Sequence, residues 1–188
     1  MTDAASLAAW LETVLRHGLG RLDLPALLRC VAAASARDAD ALRHWDRIVL
    51  AGRESAELWE EEVRMGRALC RLLREQGRMP DWMGGKDCGY VAGFALGAIA
   101  LGVGPDRAVA TGCAYGWSWL ENQVAAATRC LGIGQRAAQG VLLSLAPVVE
   151  EVVLAAMDLD DEDVGASLPG LTMASIGHES QYSRLFRS

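Results

Sequence analysis

Three histidines (His17, His44, His178) and five cysteines (Cys30, Cys70, Cys88, Cys113, Cys130) are the side chains in this 188-residue chain best suited to nucleophilic or metal chemistry. Their spacing assembles no familiar site. No CxxC is present, so neither a zinc knuckle nor a dithiol redox motif is encoded locally. No HExxH pair and no GxSxG elbow occurs. His44 stands among charged neighbours and reads as a surface residue. His178 and Glu179 are adjacent, and imidazole with carboxylate suits a transition metal. Two ligands do not make a site, so a structural role or a partner contact is the better reading. No catalytic residue, no metal site and no tightly bound cofactor are therefore expected. An enzyme of unknown type using His178, Glu179 and one cysteine is kept as an alternative.

Two glycine-containing stretches invite a phosphate-binding reading and fail it. Lys86 follows Gly84 and Gly85, but Pro80 and Asp87 stand where a Walker motif needs Gly and Ser or Thr. Gly132-Ile-Gly134-Gln-Arg-Ala137 follows a helical pattern rather than a strand, which removes the βαβ context a dinucleotide fingerprint requires.

The charge pattern narrows the partners. The net charge is −6, and Lys86 is the only lysine. Residues 137–183 hold no Lys or Arg but eight acids. Nucleic-acid binding needs clustered cations to release counterions from phosphate, so it is not expected. A basic protein partner is permitted. The odd number of widely spaced cysteines and the lack of a signal-like opening suit reduced thiols in a cytoplasmic core.

The elements that must position these residues read as helices throughout. Ala, Leu, Arg and Glu are abundant, and no stretch alternates as a half-buried strand does. Asp3 caps a first helix to about residue 17, with Leu7, Trp10, Leu11, Val14 and Leu15 as its apolar stripe and Gly18 and Gly20 as its stop. Asp23 and Pro25 read as cap and early proline of a second helix ending near Ser35. A third spans about 38–50 and buries Leu42, Trp45, Ile48 and Val49. A fourth spans 55–76, with Leu58, Trp59, Val63, Met65, Leu69, Leu72 and Leu73 as its apolar residues. Its acids precede its arginines, which suits the helix dipole.

Residues 88–104 carry no charge. As a helix they span roughly 25 Å, short of the ~30 Å hydrocarbon core, and their five glycines dilute the apolarity. A buried central helix is expected in place of a membrane span, with Gly89, Gly93 and Gly97 letting a neighbour approach closely. A small helical membrane protein is the alternative. Long helices follow from Pro105 to about Cys130 and from Gln135 to about Met157, with Pro147 as a break or kink. Residues 158–163 hold five acids and read as a solvated loop. The fold class is thus all-α: a single-domain helical bundle around a Gly-rich apolar helix.

The C-terminus interleaves Tyr182, Leu185 and Phe186 with Arg184 and Arg187. Aromatic and arginine side chains anchor protein interfaces, whereas termini are usually polar and frayed. Two readings stand level: a tail packed on its own domain, and a tail ordered by a partner.

Three blocks in order carry a family resemblance. Trp117-Ser-Trp-Leu-Glu-Asn-Gln123-Val-Ala-Ala-Ala127, with Arg129 and Leu131-Gly-Ile-Gly-Gln135, resembles the signature of the urease accessory protein F family. Residues 178–188 resemble its closing motif. Arg53-Glu-Ser-Ala-Glu57-Leu and Met65-Gly-Arg-Ala-Leu69 resemble its middle helix. The resemblance implies an all-α homodimer in the cytoplasm. It implies a non-catalytic scaffold that joins the D/H accessory protein and the G accessory GTPase to deliver nickel to apo-urease in a GTP-dependent step. Nickel is then cargo of the complex, not a cofactor of this chain. By position, the resemblance implies a helical domain over 1–177 and a partner-binding tail over 178–188, with Tyr182, Arg184, Leu185, Phe186 and Arg187 engaging the D/H protein. It links Arg129 and Gln135 to GTPase coupling. Family members open with an extra segment bearing a Pro-x-Gly-Gly-Phe-Ser-like motif that has no counterpart before Leu7, and two readings stand: a shortened form, or a chain whose true start lies upstream.

Overall fold

The computed structural model describes residues 3–181, which form eight α-helices and no strand. Helix α1 (Ala4–Val14) starts where Asp3 accepts from the Ser6 amide in a capping box and runs on into a π-helical turn (Leu15–Leu19). The helical run ends at Gly20, as expected, and Gly18 and Gly20 are packing positions as well: a Cβ on them would stand 2.8 Å from Leu168 Cδ1 and 2.5 Å from Val152 Cγ1. Helices α2 (Asp23–Ala36) and α3 (Ala39–Ala51) follow, the latter capped by Asp38. Helix α4 (Ala56–Glu75) is capped by Ser55. Helix α5 (Tyr90–Ala100), α6 (Ala108–Leu131), α7 (Gln135–Met157) and α8 (Pro169–Glu179) complete the order. The 177/178 boundary expected from the resemblance falls inside α8.

The centre of the bundle belongs to α2 as much as to α5. Helix α2 packs on α3, α5, α6 and α7. Its buried residues include Leu24, Leu27, Cys30 and Val31. Helix α5 lies between α2 and α4 and buries Val91 through Leu96 except for Phe94, while its last turn is partly open. Its expected glycine ladder is used at one rung. Gly89 meets carboxylates, but Gly93 has only ordinary contacts and Gly97 has open space beside it.

Helix α4 is turned relative to the apolar stripe expected from its sequence. Its buried residues are Glu62, Gly66, Cys70 and Leu73, a stripe at spacings of four, four and three, while Trp59 and Leu72 are exposed. Trp10 is likewise partly exposed, at the rim of a cavity described below.

Helix α7 runs unbroken through Pro147. It is the one described helix long and apolar enough by composition to cross a membrane; residues 88–104 yield only the short α5. Helix α7 packs on α6, α1 and α2, Glu151 at its edge takes a two-pronged contact from Arg16, and Glu150 is exposed. The acidic loop after it is anchored rather than merely solvated, because Arg29 binds both Asp161 and the Leu159 carbonyl.

Candidate functional site

The junction of α3, α4 and α5 is built on one backbone crossing. An ideal Cβ on Gly66 would lie 2.2 Å from the Cys88 carbonyl oxygen and 2.5 Å from the Gly89 carbonyl carbon. Only glycine admits that approach. It presses α4 against the start of α5, whose N-cap, Gly89, has no side chain to satisfy the first amides. Carboxylates from other helices supply the cap. Asp46 of α3 accepts from the Gly89 amide at 2.8 Å, and Glu62 of α4 accepts from the Val91 amide at 2.9 Å. Both negative charges face the positive end of the helix dipole. Burial raises the Asp46 carboxyl above its ordinary value, with the Gly89 hydrogen bond opposing.

The second oxygen of Glu62 accepts from Arg53 at 2.8 Å, and Arg53 makes a two-pronged contact with Asp23 at 2.6 and 3.2 Å. The Tyr115 hydroxyl donates to Asp23 at 3.1 Å. These groups lie deep: the side chains of Arg53, Asp23 and Glu62 are 16%, 7% and 5% exposed. Burial pulls the Arg53 guanidinium down, but pairing with Asp23 and Glu62 outweighs it and holds the group above its ordinary value. Burial, reinforced by Asp23, pushes the Tyr115 phenol well up. Every buried side-chain nitrogen and oxygen among the described residues has a partner. A satisfied buried network of this kind fixes geometry more than it adds net stability. Asp23, expected as a helix cap, is instead the first residue of α2, and its carboxylate serves Arg53 and Tyr115.

Asp23, Arg53, Glu62 and Tyr115 of this network form the polar wall of a cavity of about 500 Å³, whose other lining includes Trp10, Leu58, Met65 and Trp119, with Leu168 and Leu171 as its roof. The π-helical turn contributes Gly18 and Leu19 to its wall. Glu61 also lines it and is open to water there, yet surrounding protein raises its carboxyl above the ordinary value. His178, Glu179 and the five cysteines line none of it, so the cavity does not gather the groups of the enzymatic alternative.

Helix α8 closes the roof through polar contacts. Glu54 accepts from Thr172 Oγ1 at 2.6 Å, Ser167 Oγ at 2.8 Å and the Leu168 amide at 3.4 Å. Ser55 and Ser175 hydroxyls meet at 2.7 Å, His178 Nδ1 lies 2.8 Å from Glu57, and Glu179 accepts from the Glu57 amide. No residue of α8 is buried, and Met173 and Ile176 are 73% and 51% exposed.

The residues singled out in the sequence divide as follows. Arg129 is exposed in the last turn of α6, and Gln135 is exposed as the first residue of α7, on either side of the turn made by Gly132 at φ +66°. Tyr182, Arg184, Leu185, Phe186 and Arg187 lie outside the described residues. Among those described, no group of three or more His, Cys, Asp or Glu side chains is placed to hold a metal ion. Cys30, Cys70 and Cys88 are buried as expected of core thiols, whereas Cys130 is exposed.

Fold and site together define an all-α protein whose buried polar centre is spent on its own architecture and whose last described helix lies outermost. Residues 1–146 match the family model described as UreF. A "Urease accessory protein UreF" of Chromohalobacter salexigens is 46% identical over 187 residues, covering 99% of this chain and 80% of that protein. Proteins of the same description from Alkalilimnicola ehrlichii and Hahella chejuensis are each 41% identical, covering 100% and 95% of this chain and 82% and 80% of their own lengths. The chain belongs to the UreF family of urease accessory proteins. The family name designates an accessory to urease rather than an enzyme in its own right.

Proposed function

We propose that this protein is a cytoplasmic, homodimeric scaffold that joins the D/H accessory protein and the G accessory GTPase and acts with them on apo-urease, so that nickel passes to the enzyme in a GTP-dependent step. The observation that carries the reading is the state of α8. It is tied to α4 by side-chain hydrogen bonds, buries none of its residues and turns Met173 and Ile176 outward. A helix held this way is readily shared with another protein, since a partner that covers its apolar side gains burial without dismantling a core. Residues 178–188 continue from it, and Tyr182, Arg184, Leu185, Phe186 and Arg187 are the proposed anchors for the D/H protein. Arg129 and Gln135, both exposed, are the proposed contacts to the GTPase. The test is deletion of residues 178–188 in the full chain. Helices α1–α7 and the main unfolding transition should be kept, with the His178 and Glu179 contacts at the end of α8 removed, while co-purification with the D/H protein is lost. Undiminished complex formation by the deleted form refutes the role of the tail.

A further inference from the structure

The Gly66 crossing has a second consequence one helical turn along. Cys70 follows Gly66 by four residues, so its side chain stacks on the same face of α4 and points at the same stretch of backbone. Its Sγ lies 3.5 Å from that of Cys88, and both residues are buried. The close backbone crossing at Gly66 brings the two thiols together one turn along. No other pair of described cysteines is in hydrogen-bond contact; Cys30 is buried in the same core and near enough to Cys88 to raise it, Cys113 is half-buried and Cys130 is exposed.

We propose that Cys70 and Cys88 form a thiol–disulfide switch whose oxidised form clamps α4 to the start of α5. At 3.5 Å either thiol can donate to the other. The hydrogen bond with Cys88, aided by the Cys88 amide and Arg74 against burial and Asp87, lowers Cys70 to about 7. Cys88 is raised by the same proton sharing and by burial. Cys70 is therefore the attacking thiolate and Cys88 the resolving thiol.

Both thiols are buried, so the reaction proceeds when the α4–α5 junction opens locally; with a peroxide as oxidant, the Cys70 thiolate then attacks one peroxide oxygen. The O–O bond breaks, the leaving hydroxide takes a proton and departs as water, and Cys70 becomes a sulfenic acid. The Cys88 sulfur then attacks the Cys70 sulfur, its proton joins the expelled hydroxide as a second water, and the S–S bond forms. Two electrons pass from the two sulfurs to the peroxide. Bond formation shortens the 3.5 Å contact to about 2.05 Å. The segment between α4 and α5 accommodates the movement, since it includes Gly84 and Gly85 in left-handed conformations with open space around them. The closed form fixes the helix pair that carries Glu62 and seats α8, independently of which partners the protein engages.

The test uses the full chain, reduced and then exposed to hydrogen peroxide at neutral pH, alkylated and mapped by mass spectrometry without reduction. The expected product is a peptide pair joined through Cys70 and Cys88. Closing a loop of this length should raise Tm by roughly 6–12 °C, reversed by dithiothreitol. In Cys88→Ser the linkage and the Tm gain are both lost and Cys70 is found at the sulfenic or a higher oxidation state. Should Cys88→Ser fail to fold, the map of the unsubstituted chain decides alone. Recovery of Cys70 and Cys88 as free thiols after peroxide, or linkage only through Cys113 or Cys130, overturns the proposal.

Discussion

Gly66 and Cys88 meet backbone to backbone, with room for a hydrogen atom and none for a methyl group: the ideal Cβ at position 66 would stand 2.2 Å from the Cys88 carbonyl oxygen. The Val91 amide is within reach of Glu62, one turn earlier on α4, because of that crossing. The two carboxylates and the arginine that follow it into the core depend on the same separation.

Gly66→Ala is therefore expected to destabilise the protein by about 3 kcal/mol or more, since the obstruction is backbone rather than a movable side chain. Gly97→Ala is the control. It lies in α5 with nothing within 4 Å of its added methyl, so it should be neutral or stabilising by up to about 1 kcal/mol through helix propensity. Denaturant midpoints of the two variants check both signs; equal midpoints would show that the α4–α5 crossing is looser than drawn.

Removing Arg53 should be costlier than removing any partner that merely donates to the network. Arg53→Ala leaves Asp23 and Glu62 buried beside each other without their shared cation, a loss of roughly 3–5 kcal/mol. Tyr115→Phe withdraws one donor from Asp23, which keeps both contacts to Arg53, and should cost about 1–3 kcal/mol. Arg53→Lys should not restore stability, because a single ammonium cannot reproduce the two-pronged contact with Asp23 while also reaching Glu62. Urea unfolding of the three variants orders these effects.

What the sequence disclosed and what it concealed divide along the range of the interactions. Asp3 announces its helix because a cap acts within three residues, and the structure keeps it, while Asp38 and Ser55 cap α3 and α4 at the starts expected for those helices. Asp23 has the same local signature, yet its carboxylate is claimed by Arg53, 30 residues away, and by Tyr115, 92 away. A single chain gives no sign of such pairs. Helix α4 misleads for a related reason. Counting apolar side chains draws in Trp59 and Leu72, while the truly inward stripe contains Glu62, which looks solvated beside Glu60 and Glu61. The one available signal was Gly66, a glycine in mid-helix with Glu62 and Cys70 four residues to either side. Arg129 and Gln135 are both exposed, on either side of Gly132.

The seat of α8 should depend on pH through Glu54. Hydrogen bonds from Thr172 and then Ser167 hold its carboxyl below the ordinary value of 4.5. A carboxyl held low in the docked state binds its proton less readily there than when α8 is released. The contribution of Glu54 to docking is then fully present above about 4.5 and is lost as pH falls through the lower docked value. Hydrogen exchange of the α8 amides should quicken across that interval while exchange in α2 stays slow. Glu54→Gln, which cannot titrate, should remove the pH dependence; an unchanged profile in that variant would assign it to another group.

The outward side of α8 separates a folding role from a binding role. Met173 and Ile176 are 73% and 51% exposed, so charge at these positions disturbs no core. Met173→Glu and Ile176→Glu should each shift stability by no more than about 0.5 kcal/mol, the range of ordinary surface substitutions. If α8 is shared with a partner, the same changes bury an unpaired carboxylate in the interface and should weaken capture of the D/H protein at least tenfold, about 1.4 kcal/mol. Leu143, 71% exposed on α7, provides the comparison, because it is as apolar and as open yet lies on a different helix. Leu143→Glu should leave capture of the D/H protein intact. A pull-down in which the α7 variant fails and the two α8 variants bind normally would move the interface away from the C-terminal helix and remove the main support for its proposed role.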